Sequence, residues 1–162
     1  KEVVNEAKKE SMWNEEIVIT PMMNLDDQKT FDLIEKVAQK TDNSTEELWY
    51  KICQKNIYSF SEWFPSYFKG RSLKNFLVLM DTVHKQLTTM ISGANPPRII
   101  PEEISSDTIQ LTYKSKRGMF DYFLGLLNGS SEFFDEEMDI TEVERGKEGE
   151  KYYLIVILTK KK

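Results

Sequence analysis

Apolar positions recur every three to four residues through the first half of the chain and every second residue through much of the rest. Residues 1–11 set Val3, Val4 and Ala7 among charges at helical spacing, which predicts a short amphipathic helix. Residues 17–20 form a brief apolar run closed by Pro21. Asp26 suits the N-cap of a helix to about Lys40, with Phe31, Ile34, Val37 and Ala38 on one face. Ser44 and Glu47 make a capping box for a helix through Leu48, Trp49 and Ile52. Residues 56–68 are crowded with aromatics; Pro65 kinks or restarts a helix there, and Gly70 marks a break. The clearest helix spans 74–91, where Phe76, Leu77, Met80, Val83, Leu87 and Ile91 form one broad stripe. Gly93 ends it, and Pro96-Pro97 bars a restart.

Beyond that point the period changes. Residues 108–115 alternate, with Ile109, Leu111 and Tyr113 on one face, as in a half-buried strand. Residues 118–128 return to helical spacing through Met119, Phe120, Phe123 and Leu126 or Leu127. Residues 140–144 and 151–158 flank a polar, glycine-containing stretch, 145–149, and read as a hairpin. Helices followed by strands, with a helix between the strands, predict an α+β fold: a helical N-terminal half beside an antiparallel sheet.

Composition narrows the function classes. With 162 residues and no repeat or Pro/Gly linker, one domain is expected over residues 1–162. Aspartate and glutamate number 27 against 22 lysines and arginines, a balance that disfavours nucleic acid as a partner. The longest apolar run, 152–158, is far too short for a membrane span, and no secretory leader is visible. Cys53 is the only cysteine, which excludes an intramolecular disulfide and suggests a reducing, cytoplasmic setting. His84 is the only histidine, so Cys/His zinc sites and paired-histidine sites are excluded.

His84 shares the apolar stripe of its helix, four residues after Met80 and three before Leu87. On position alone a core histidine bonded to backbone is the favoured reading. As a metal ligand it suits heme, whose porphyrin supplies four nitrogens and asks the protein for one imidazole. Tyr113, Ser115 and Arg117 alternate, so a phenol, a hydroxyl and a guanidinium project together as a carboxylate or phosphate clamp; a solvated polar face is the alternative. Tyr122 lies in an apolar stretch and needs a hydroxyl partner if buried. Cys53 reads as a small core residue, the closing lysines 160–162 as a solvated end or the start of a linker, and the acids of 135–139 with Glu142 and Glu144 as a solvated face.

Together these residues resemble a known family. The stretch NIYSFSEWFPSYFKGRSLKNFLVLMDTVHKQLTTMISGANPPRII, followed by YKSKRGMFDYFLGLLNGSSEFF, is similar to the heme-nitric oxide/oxygen binding (H-NOX) domains, which include the heme domain of soluble guanylate cyclase. The likeness covers nearly the whole chain, although family members open about one helix earlier. The resemblance implies a heme b between the helical half and the sheet, with His84 as its iron ligand. It implies that Tyr113, Ser115 and Arg117 hold the propionates, that Pro97 presses the ring out of plane, and that Phe60 and Met80 pack against the cofactor. Tyr122 matches the distal tyrosine of oxygen-binding members, Asn56 the residue that orients it, and Ile57 and Leu126 apolar pocket positions.

The implied function is a gas sensor that binds O2, NO and CO and is not an enzyme. Its output partner would be a methyl-accepting chemotaxis receptor module or another signalling protein, with the domain itself in the cytoplasm and off the membrane. Two alternatives stand beside it. A peroxidase-like heme enzyme would need a distal acid–base group, usually a second histidine, and a cofactor-free interaction module would bind no heme.

Overall fold

The computed structural model describes residues 2–11, 13 and 23–161, so the apolar run at 17–20 lies outside it. Five α-helices and four strands follow in the order α1 (Glu2–Glu10), α2 (Asp27–Lys40), α3 (Thr45–Trp63), α4 (Leu73–Met90), β1 (Arg98–Glu103), β2 (Thr108–Ser115), α5 (Phe120–Phe133), β3 (Met138–Glu148) and β4 (Lys151–Lys160). The fold is α+β, as the pattern predicts.

The helices start where side chains satisfy orphan backbone donors. Asp26 accepts the Lys29 N–H at 2.8 Å to open α2. At α3 the Ser44 hydroxyl accepts the Glu47 N–H, and the Glu47 carboxylate accepts the Ser44 N–H. Ser72 caps α4 through the Asn75 N–H. Helix α3 runs unbroken to Trp63, so the first aromatics of 56–68 share its surface; Pro65 then starts a single 3-10 turn, Pro65–Tyr67.

The strands form one antiparallel sheet in the order β1-β2-β4-β3. Ile109, Leu111 and Tyr113 of β2 lie opposite Leu158, Val156 and Leu154 of β4, and these six side chains make the buried face. Phe76 and Leu77 of α4 and Phe123 and Leu127 of α5 complete the same core. Helix α5 also packs on α3 with almost no space between backbones. A Cβ on Gly125 or Gly129 would drive into the carbonyl oxygens of Tyr50 and Gln54.

Four sequence expectations need correction. Residues 145–149 are not the hairpin turn: β3 continues to Glu148, and the reversal is made by Gly149, in the left-handed region at φ +59°, with Glu150. Helix α5 ends at Phe133 rather than near Asn128, because Gly129 is a packing contact and not a stop. Strand β1 has no counterpart in the sequence reading; Pro101 interrupts its pattern but sits on an edge strand, where a missing donor is tolerated. The acidic stretch is not wholly solvated. Glu136 accepts the Leu73 N–H at the start of α4 and pairs with Lys160, which therefore is not a free end either.

Candidate functional site

A cavity of about 560 Å3 opens beside α4, α5 and the end of β2. That volume lies in the range of small-molecule and cofactor sites, and its lining is mostly apolar. Of the sequence candidates, Phe60, Met80, His84, Pro97, Tyr113, Ser115, Arg117, Tyr122 and Leu126 all line it.

His84 enters from α4, on the same face as Met80 and Val83. Its Nδ1 lies 3.1 Å from the Pro97 carbonyl oxygen. A carbonyl only accepts, so Nδ1 carries the proton and Nε2 keeps its lone pair. Burial holds the His84 pKa below the ordinary histidine value, against the opposing pulls of the Pro97 carbonyl and the Asp81 charge. A neutral imidazole with one nitrogen tied to a carbonyl and the other free is the form in which histidine binds a metal.

Tyr122 comes from the first turns of α5. Burial, and next the proximity of Cys53, push its phenol far above the ordinary tyrosine range, so it stays a donor. The Asn56 side chain on α3 lies beside its hydroxyl and opposes that rise. The tyrosine lines the cavity wall. Trp49 packs on the tyrosine ring with centroids 5.7 Å apart. Asn56 itself stands behind Tyr122 and outside the lining, while Ile57 is in the core, 2% exposed, and also outside the lining. Cys53 is fully buried, and burial pushes its thiol up, which keeps it protonated.

The polar corner holds the clamp. Tyr113 and Ser115 are buried; the Ser115 hydroxyl oxygen accepts the Arg117 N–H at 3.1 Å, and the tyrosine ring stacks on Phe123 at 4.9 Å. Arg117, just past the end of β2, donates from Nε to both Asp27 carboxylate oxygens at 2.8 Å and from Nη1 to the Asn95 carbonyl at 2.8 Å. A guanidinium at this corner thus already grips one carboxylate, with Nη2 and the second Nη1 proton still available.

Sequence reading missed Trp49, Asp27, Asp81 and Arg98. Asp27 carries no signal because it looks like any first-turn acid, and its partner is 90 residues away.

Among the described residues, no group of three His, Cys, Asp or Glu side chains could hold a metal. A lone imidazole in an apolar cavity fits a metal that brings its other donors with it, and the corner of hydroxyls and guanidinium fits acidic substituents on the same ligand. The observed donor set therefore suits heme.

Comparison with known proteins agrees with this chemistry. A family model described as haem-NO-binding matches residues 1–142. The chain is 48% identical to an oxygen-binding H-NOX domain related to soluble guanylate cyclases, solved as its oxygen complex; the match covers 99% of this chain and 86% of that one, with a TM-score of 0.92. A variant of the T. tengcongensis H-NOX protein is 48% identical over 99% of this chain and 88% of its own, with a TM-score of 0.93. A third structure, from work on modulating heme redox potential through protein-induced porphyrin distortion, is 48% identical over 98% and 89%, with a TM-score of 0.91. No curated protein matches in sequence.

Proposed function

The chain belongs to the haem-NO-binding, or H-NOX, family of heme-binding gas-sensor domains, and on that premise we propose that it binds O2, NO and CO at a ferrous heme b and passes the change to a signalling partner. When bound, the heme supplies an iron at which a diatomic gas can coordinate. The observation that carries the reading is the His84 geometry: Nδ1 tied to Pro97, Nε2 left basic, and the side chain on the wall of a cavity that also holds Tyr122.

The residues divide the work. His84 is the iron ligand. Tyr113, Ser115 and Arg117 hold the propionates, and Phe60 and Met80 pack on the ring. Pro97 would serve twice: its carbonyl orients His84, and its ring, on the cavity wall, would meet the macrocycle, a lever on iron electronics. Tyr122, set by Asn56, donates to the gas; Leu126 lines the pocket, and Ile57 backs it from the core. A bound gas that changes the pull on His84 also changes the balance of forces on α4, which gives a partner two surfaces to tell apart. A chemotaxis receptor module in the cytoplasm is the output we favour. Among the described residues, no helix is long and apolar enough to cross a membrane. The reading is of a sensor and not a catalyst, because the chain's one histidine is committed to the iron and no second imidazole exists to move protons for peroxide.

The test is an absorption spectrum of the heme-loaded ferrous protein, taken without air, then in air, then with NO. A five-coordinate spectrum that converts to a stable oxygen complex supports His84 and Tyr122 together. A His84→Ala protein with the same spectrum as wild type overturns the ligand assignment.

A further inference from the structure

The Pro97 carbonyl that orients His84 sits in the loop between α4 and β1, one residue before the strand begins. A loop carbonyl needs something to hold it on its partner. The next residue, Arg98, reaches back to α4 and grips Asp81 with both ends of the fork: Nε to Oδ1 at 2.6 Å and Nη2 to Oδ2 at 2.8 Å. Asp81 is three residues before His84, so the two project from one side of the helix.

Two adjacent rungs therefore join the same two backbones, His84 to Pro97 and Asp81 to Arg98. The second rung is well made. The Asp81 side chain is only 13% exposed, and Lys85 adds a third contact at 2.8 Å from the solvent side. Arg98 and then Lys85 hold the Asp81 carboxyl well below the usual carboxylate range, so it is charged at any working pH. Asp81 also pulls on His84 through its charge, but the fork that ties Arg98 to α4 is a geometric link.

We infer that the Asp81–Arg98 pair is a positioning device that holds the Pro97 carbonyl on His84 Nδ1 and so sets how strongly His84 donates through Nε2. This rests on heme ligation by His84. A hydrogen bond on the far nitrogen fixes ring orientation and raises ligand basicity, and loss of such a support costs metal affinity at least about tenfold. Asp81 and Arg98 act one step further out, through Pro97, so the lower figure applies. Neither needs to touch the cofactor.

The experiment uses the heme-loaded ferrous protein and reads the iron–histidine stretching frequency by resonance Raman, with the rate of heme loss to excess apomyoglobin. Asp81→Asn and Arg98→Ala lower the frequency in the same direction and speed heme loss roughly tenfold. The double variant goes no further than either single one, because both break the same rung. Arg98→Lys keeps the charge but loses the fork, so it falls with Arg98→Ala. Lys85→Ala removes only the outer contact and leaves the frequency at the wild-type value.

An unchanged frequency in Asp81→Asn and Arg98→Lys overturns the inference, even if their urea midpoints fall, because a merely structural pair would move stability alone. Additive effects in the double variant overturn it as well. If wild type itself shows no iron–histidine band, or His84→Ala keeps it, the ligation reading fails first, which separates the two outcomes.

Discussion

At the scale of single residues, the site works by giving ordinary side chains one unsatisfied valence. His84 has a proton committed to Pro97 and a lone pair left over. Tyr122, beside Asn56, keeps its phenol protonated on the cavity wall. On the proposed role, Tyr122→Phe removes that donor while keeping the ring against Trp49. Oxygen should then leave roughly five times faster, the effect of one lost hydrogen bond of ~1 kcal/mol. Stopped-flow release of oxygen measures it, and an unchanged off-rate would remove Tyr122 from the pocket chemistry. CO release is the internal control, because a less polar gas gains less from the phenol. The sequence offers one histidine, one YxSxR triplet and one tyrosine in the following helix, and the family resemblance is what gives them their roles. Their supports were not legible there. Asp27 and Asp81 become meaningful only when folding brings Arg117 and Arg98 to them, across 90 and 17 residues.

Elements were legible where local signals decide them. Asp26, Ser44 and Ser72 open their helices by bonds to residues three positions away, so the sequence contains the whole interaction. They failed where a distant partner decides. Gly129 looks like a helix stop and is a contact with α3; the polar residues before Gly149 look like a turn and are an edge strand, with Arg145 lying over Phe120 at 5.4 Å. Glu136 is another such case. It stands after α5, yet its carboxylate accepts the first N–H of α4 at 2.9 Å and pairs with Lys160 at 3.0 Å. The Leu73 N–H first, and Lys160 with it, lower its pKa below the ordinary 4.5. A carboxylate with a depressed folded-state pKa adds stability above its unfolded value and loses it as pH falls through the folded one. Glu136→Gln keeps an acceptor for Leu73 but not the charge, so it should be about 1 kcal/mol less stable than wild type at pH 7. The difference should shrink as pH drops below 4.5 and vanish at lower pH. Urea titrations of both proteins across that range measure it; a gap that stays constant with pH would mean that the charge is not what Glu136 contributes.

The whole molecule carries a large, mostly apolar cavity beside its core, and that has a thermodynamic consequence. A cavity of about 560 Å3 lined by side chains such as Phe60, Met80 and Leu126 gives a flat apolar cofactor surface to bury. A cofactor that fills it binds the folded state and not the unfolded one, so it stabilises by mass action. At a free concentration a thousand times its dissociation constant, the gain is about 4 kcal/mol. For a domain of this size each kcal/mol shifts Tm by roughly 2–4 °C, so heme-loaded protein should melt about 10 °C above the heme-free chain. Heme-free protein made by acid–butanone extraction and refolding, compared by calorimetry with the same sample reloaded, gives the number. His84→Ala should lose part of the shift, because iron ligation goes while the apolar burial and the Tyr113, Ser115 and Arg117 contacts remain. Arg117→Ala should lose another part, with less heme retained. Equal melting temperatures with and without heme would contradict a cofactor filling this cavity, and would leave the protein as an interaction module built on the same scaffold.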